Sequence, residues 1–308
     1  MMILTKVDCG RFFLVMSIIF GCLNDVLSKC MIDHMASEEI VFFRFLVGAV
    51  VLIPFMKGSD YIKLIQEKNS IINCIRGILG VISMWLCTYS LVYLKLVEIT
   101  ILMWTVPLFE LFLCRIFFAD KASGVQILST MICFACIVLF SLNSISLHHY
   151  QYIVFPLLAA ILFAIQDIII KKIGINAKQD IHMLFFFSIV AALCASCFVS
   201  YYSLLQISGR DICFLILLGI CTDLTQYFLF VAFRTSNLSS LVLVKYLEFS
   251  IQIIFGFLFF SEVPSVANLI CATILILLIT MGNKNKKPWH QNSCLIGNTK
   301  WTNILKLC

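Results

Sequence analysis

Apolar and polar positions alternate along this chain on the scale of whole segments rather than single residues. Apolar runs fall near residues 12–31, 39–56, 70–92, 98–118, 124–142, 152–170, 182–204, 211–233, 239–260 and 266–282. A helix needs ~20 mainly apolar residues to cross ~30 Å of hydrocarbon, so each run predicts a spanning helix. None shows the period-two alternation of a barrel strand, and in lipid the helix then satisfies its own backbone. The expectation is an all-α membrane protein with ten transmembrane helices. A polar loop at 57–69 and a tail after Gly282 interrupt the pattern, and neither reads as a soluble domain.

Composition points the same way. Hydrophobic residues make up 62% of the 308 and charged residues 12%, more apolar surface than a soluble domain of this length can hide. The 15 cysteines lie mostly inside apolar runs. Two CxxC pairs, Cys133/Cys136 and Cys194/Cys197, sit mid-helix without nearby histidines and read as packing residues rather than a metal or redox site. Lys6 and Arg11 precede the first apolar run as in a signal peptide, but no small-residue cleavage site follows, so the run is read as the first helix.

Charge tests the threading. Alternating ten spans puts 17 of the 22 basic residues, from Lys6 and Arg11 to the tail, on or near one side. The other side receives Lys29, Lys95 and Arg210, while Arg44 and Lys245 stay within spans. This asymmetry predicts both termini in the cytoplasm.

The halves also resemble each other at a constant offset of 142. Asp25 meets Asp167, Lys29 meets Lys171, Phe43 and Phe45 meet Phe185 and Phe187, and Gly77-Ile78 meets Gly219-Ile220. The segment 116–120 meets 258–262 in the same register. Five spans is an odd number, so the second copy must lie inverted, the plan of many secondary transporters. The predicted organisation is a five-helix repeat over 1–142, an inverted one over 143–282 and a basic cytoplasmic tail over 283–308.

Ionisable groups in hydrocarbon cost at least ~2.5–3.5 kcal/mol at a helix centre, so they face a cavity or one another. The candidates are Asp25, Arg44, Glu110, Asp167, Asp223, Lys245 and Glu248. Asp25 and Arg44 fall at similar depth on adjacent helices, which fits either an ion pair clamping them or a substrate contact. Asp167 takes the mirrored position, and Lys171 and Lys29 are expected to snorkel to the headgroups. Lys245 and Glu248 are three apart on one predicted helical face with Tyr246 alongside, either pairing internally or receiving a zwitterion. Glu110 and Asp223 lie about twelve residues into their spans, near the midplane. Pro107 predicts a kink in the fourth helix, and Trp104 is a candidate for the same cavity.

No glycine-rich phosphate loop occurs, and His34, His148, His149, His182 and His290 sit in loops or at span ends. Neither ATP-driven transport by this chain nor an intramembrane metalloprotease is expected. The sequence calls for no cofactor, no metal and no nucleic-acid partner, only the bilayer and a small molecule, and leaves monomer or homodimer open.

These features resemble the drug/metabolite transporter superfamily in its EamA-type ten-helix branch. Within it the chain is similar to the S-adenosylmethionine uptake transporters of obligate intracellular bacteria. The resemblance rests on the stretches Asn24-Asp25-Val26-Leu27-Ser28-Lys29, Phe42-Phe43-Arg44-Phe45, Arg76-Gly77, Asp167-Ile168-Ile169 and Tyr246-Leu247-Glu248. Two departures stand out: Lys245 replaces the arginine that usually precedes Tyr-Leu-Glu, and the tail from Asn283 has no counterpart. The resemblance implies import of S-adenosylmethionine across a bacterial inner membrane, with exchange for S-adenosylhomocysteine as one candidate coupling. An EamA-type exporter of amino acids or related metabolites is the alternative, and a membrane scaffold or enzyme is a third reading. For the zwitterion, sulfonium and adenine of that substrate, Asp25, Arg44, Trp104, Glu110, Asp167, Asp223, Lys245, Tyr246 and Glu248 are the candidate contacts.

Overall fold

The computed structural model describes residues 6–32, 35–56, 70–90, 93–94, 99, 102–117, 124–141, 151–173, 180–199, 209–236, 238–261, 270 and 272–278. Among these every regular element is a helix. In chain order they are α1 (Lys6–Met31), α2 (Ser37–Leu52), α3 (Ser70–Ser90), α4 (Val106–Phe117) and α5 (Gly124–Ser141). They continue with α6 (Val154–Ile173), α7 (Asp180–Ser196), α8 (Gly209–Thr235), α9 (Leu238–Lys245) and α10 (Leu247–Phe260). Of the tenth apolar run, residues 270 and 272–278 are described, and they are helical. The loop at 57–69 and the tail over 283–308 lie outside the described residues.

Local chemistry explains several boundaries. Glu39 reaches back to accept the Ala36 N–H at 3.3 Å, and Glu38 with Glu39 places negative charge in the first turn of α2. Pro54 lies in a short 3-10 turn (Ile53–Phe55) that closes the same helix, because it has no amide to continue the ladder. Pro156 sits in the first turn of α6, where an amide would be unpaired in any case. At the far end of α10, Ser261 adopts φ 54° and its N–H bonds to Gly256 O, a left-handed C-terminal closure.

The bundle is apolar outside and polar inside. Ile71, Ile75, Ile78 and Ile82 form an outward stripe on α3, and Phe112, Leu128, Phe257 and Leu258 are likewise exposed on other helices. Asn24, Arg44, Arg76, Glu110, Asp167 and Asp223 are buried instead. In water this inversion would be unstable; in lipid the tails solvate the stripes and the polar groups find one another. Four helical segments, Cys9–Met31, Gln151–Lys172, Asp211–Thr235 and Leu238–Phe260, are long and apolar enough to span a membrane, and shorter apolar helices accompany them. The chain is a multi-pass membrane protein.

Packing is exchanged between the two ends of the sequence. α1 lies along α8, where Ser17 donates to Thr225 O at 2.7 Å and Asn24 donates to Thr222 Oγ1 at 2.8 Å. α6 lies along α3, where Gln166 donates to Ser83 Oγ at 3.0 Å. α2 and α7 pack on each other through Phe45 and Phe187, whose rings meet edge to face at 5.6 Å. Two glycines set the closest approaches. A Cβ at Gly77 would stand 2.8 Å from Val190 on α7, and one at Gly219 would stand 2.6 Å from Val47 on α2. Such small-residue contacts let helix backbones approach where no hydrophobic force drives them together.

A polar site between two broken helices

The fourth and ninth apolar runs are both interrupted. Residues 102–103 are helical, Trp104 and Thr105 turn, and α4 starts afresh at Val106 with Pro107 as its second residue. The expected proline kink is therefore a full break, since Pro107 has no N–H for the preceding turn. Thr105 closes the turn by donating twice to Leu102 O, through its N–H at 3.1 Å and its Oγ1 at 2.6 Å. In the ninth run α9 ends at Lys245, Tyr246 turns with its N–H on Leu243 O at 3.3 Å, and α10 begins at Leu247. Trp104 and Tyr246 are themselves 142 positions apart.

A turn at Tyr246 separates Lys245 from Glu248, and the two are not hydrogen-bonded to each other. Lys245 Nζ donates to Glu110 Oε1 on α4 and to Asp167 Oδ2 on α6. Glu110 is fully buried and its Oε2 has no partner. Glu248 turns toward α1 instead. There the Gln252 amide donates at 3.4 Å to Glu248 Oε1 and at 3.3 Å to Asp25 Oδ2, bridging the two carboxylates. Asp25 stays exposed along the α1–α10 seam.

Arg44 does not pair with Asp25. Its Nη2 donates to Ser28 Oγ at 2.6 Å and its Nη1 to Met84 Sδ at 3.3 Å, so the neighbouring turn of α1 captures the guanidinium before the carboxylate can. Asp223 joins neither acidic group; its Oδ1 stands where a Cβ on Gly48 would be 2.8 Å away, and its Oδ2 is buried without a partner. Lys171 does not snorkel either. It donates to Phe233 O at 2.5 Å and Ser236 O at 2.7 Å, capping the end of α8, where freed carbonyls attract a cation. Lys29 lies over the Phe260 ring at 4.2 Å.

At the breaks, Trp104 packs edge to face against Phe249 with ring centroids 4.8 Å apart. The Trp104 indole N–H and the Tyr246 hydroxyl are both buried and unpartnered. These two orphaned donors and the unpartnered Glu110 Oε2 give the interior unused hydrogen-bonding capacity. The residues the sequence reading missed are glutamines. Gln252 stands 142 positions after Glu110, so the repeat register marks it although its own type does not. The contact of Asp25 with Gln252 then occupies positions equivalent to those of Asp167 and Glu110, one filled by an amide and the other by an acid with its lysine.

The model of the EamA-like transporter family matches residues 9–142. The S-adenosylmethionine uptake transporter of Rickettsia felis is 31% identical over 87% of this chain and 90% of that protein. The pseudopaline exporter CntI of Pseudomonas aeruginosa is 22% identical over 93% of this chain and 100% of that protein. A solved crystal structure with 12% sequence identity matches with a TM-score of 0.73, covering 90% of this chain and 98% of that one, a likeness of fold.

Proposed function

Since the chain belongs to the EamA-like transporter family, we propose that it imports S-adenosylmethionine across a bacterial inner membrane, with S-adenosylhomocysteine leaving in exchange. The similarity to the Rickettsia felis uptake transporter over nearly the whole of both chains supports the substrate. The observation that carries the mechanism is the pair of helix breaks at Trp104 and Tyr246, one in each half at equivalent positions. Paired discontinuous helices are where inverted-repeat transporters place their sites, because interrupted helices are tolerated at membrane depth where they are buried in protein or line a cavity.

Alternating access follows from two inverted five-helix halves, residues 1–142 and 143–282, with both termini in the cytoplasm. The exchanged packing supports this reading: α1 on α8 is the counterpart of α6 on α3, and the approach of α3 to α7 at Gly77 is the counterpart of that of α8 to α2 at Gly219. Rocking one set of contacts open while its equivalent closes exposes a central site to each side in turn.

The two acidic groups have different work. Lys245 already supplies a cation to Glu110 and Asp167, so that group holds the broken helices together. Asp25 and Glu248 have an amide between them in place of a cation, and Asp25 is accessible. They receive the sulfonium of the substrate, while Trp104 and Tyr246 supply ring faces and donors to the adenosine, a cation–π contribution being ~0.5–2 kcal/mol. Arg44 holds the wall of the cavity beside Asp25. An inside-negative potential favours import of one positive charge by ~2.3 kcal/mol per 100 mV.

Radiolabelled uptake by cells expressing the protein tests this directly. Saturable uptake above the empty-vector level, competed by unlabelled S-adenosylmethionine and not by an amino-acid panel, is expected. Absence of uptake with membrane expression confirmed sinks the import reading, and competition by amino acids instead favours a transporter of that class.

A further inference from the structure

We propose that Arg76 is the residue that binds the substrate's carboxylate, an inference that deepens and rests on the reading of the substrate as an amino-acid zwitterion. α3 carries this arginine into the bundle interior, where it is 1% exposed. Its guanidinium lies over the Phe187 ring of α7, 4.2 Å from the centroid, and over the Phe230 ring of α8, 4.7 Å from the centroid. One terminal nitrogen, Nη2, donates to Gln226 Oε1 at 2.7 Å, while Nε and Nη1 are buried without a partner.

No carboxylate among the described residues pairs with it. Asp167 acts on it electrostatically, but the carboxylate of Asp167 is hydrogen-bonded to Lys245. A charge sealed from water with no bonded anion is unfavourable, and this one stays buried against two rings instead of snorkelling to the surface. What remains without a partner are the in-plane N–H donors at Nε and Nη1. Carboxylate is the anion whose charge and flat pair of oxygens suit those donors.

The other intramembrane cations are less available. Lys245 serves two acids, and both terminal nitrogens of Arg44 are engaged. Arg76 is also well placed. One turn along α3, Gly80 faces Gln166 with a would-be Cβ at 3.3 Å from its Oε1, and Gln166 precedes Asp167. Arg76 thus flanks the Lys245 group from the α3 side and is reached when the halves rearrange.

The test uses the full-length chain in detergent, with equilibrium binding of S-adenosylmethionine and of its decarboxylated analogue. The natural protein should prefer the carboxylate-bearing ligand by at least about tenfold, the scale of a hydrogen-bonded charge pair. Arg76→Gln should bring S-adenosylmethionine down to the analogue and leave the analogue unchanged. Arg76→Lys, which keeps the charge but loses the flat fork, should lose several-fold and carries the test if the glutamine variant does not fold. Equal binding of the two ligands by the natural protein, or full preference retained in the lysine variant, overturns the proposal. If S-adenosylmethionine does not bind at all, the substrate reading fails, and methionine against methioninamide decides the role of Arg76. Carboxylate-dependent binding lost on Arg76→Lys then supports it, and none overturns it.

Discussion

Replacing Lys245 by methionine removes the ammonium bonded to two buried acids, and the outcome discriminates between a structural counter-ion and a ligand group. Glu110 is fully buried and Asp167 nearly so, so both carboxylates would be stranded in the bundle interior. Removing one partner of a buried ion pair costs ~3–5 kcal/mol, dominated by the charge left behind rather than by the attraction lost. At ~2–4 °C per kcal/mol, the scaling for large domains, melting in detergent should fall by ~10 °C. Neutralising the stranded acids should rescue the variant. Lys245→Met combined with Glu110→Gln and Asp167→Asn removes the stranded charges and should recover most of the loss, a coupling read from the mutant cycle. Lys245→Arg should melt close to the natural protein, since its fork can address both acids. A single Lys245→Met variant melting within ~2 °C of the natural protein, or a triple variant less stable than the single, refutes the reasoning.

Other expectations concern the cation pocket, the packing and the threading. Glu248→Gln and Arg44→Ala should each abolish S-adenosylmethionine uptake at normal membrane abundance; retained uptake in both removes them from the site. Asp25→Asn should weaken uptake of the cation while leaving the melting temperature almost unchanged, because Asp25 is accessible and, among the described residues, no lysine or arginine bonds to it. Gly77→Leu and Gly219→Leu should each destabilise by ~1–3 kcal/mol through overpacking against Val190 and Val47, measured by thermal unfolding; tolerance at either position contradicts the close approach described for it. In a variant lacking the native cysteines, an impermeant maleimide should label Lys95→Cys from outside intact spheroplasts and Lys57→Cys only after lysis; the reverse pattern inverts the assigned orientation.

Much of this fold is legible in the sequence because lipid imposes a coarse rule. Apolar runs have to be helices, and the register linking Asp25 to Asp167 and Gly77 to Gly219 also appears in the packing, where Asn24 and Gln166 each bond across to the opposite half. The break near Pro107 has a local cause that the sequence carries. The break at Tyr246 does not: no proline or glycine occurs between Leu238 and Phe255, and the equivalent position Trp104 is the cue. Pairing of charges is the least legible feature. Helical spacing puts Lys245 beside Glu248, yet Lys245 bonds to residues 135 and 78 positions away. Arg44 likewise prefers the Ser28 hydroxyl to the Asp25 carboxylate, a choice of rotamer and depth that spacing along two helices does not encode. Arg76 reads as a loop-proximal basic residue from its place in the run, and only the three-dimensional packing of Phe187 and Phe230 reveals it as a buried guanidinium.

Counterflow in proteoliposomes measures exchange through a single site most directly. Purified protein reconstituted into vesicles preloaded with unlabelled S-adenosylmethionine should transiently accumulate labelled S-adenosylmethionine from outside, more than empty vesicles do. S-adenosylhomocysteine inside should also drive that accumulation, and Glu248→Gln should abolish it. Label that equilibrates no faster than in protein-free vesicles, whatever lies inside, contradicts alternating-access exchange of this substrate.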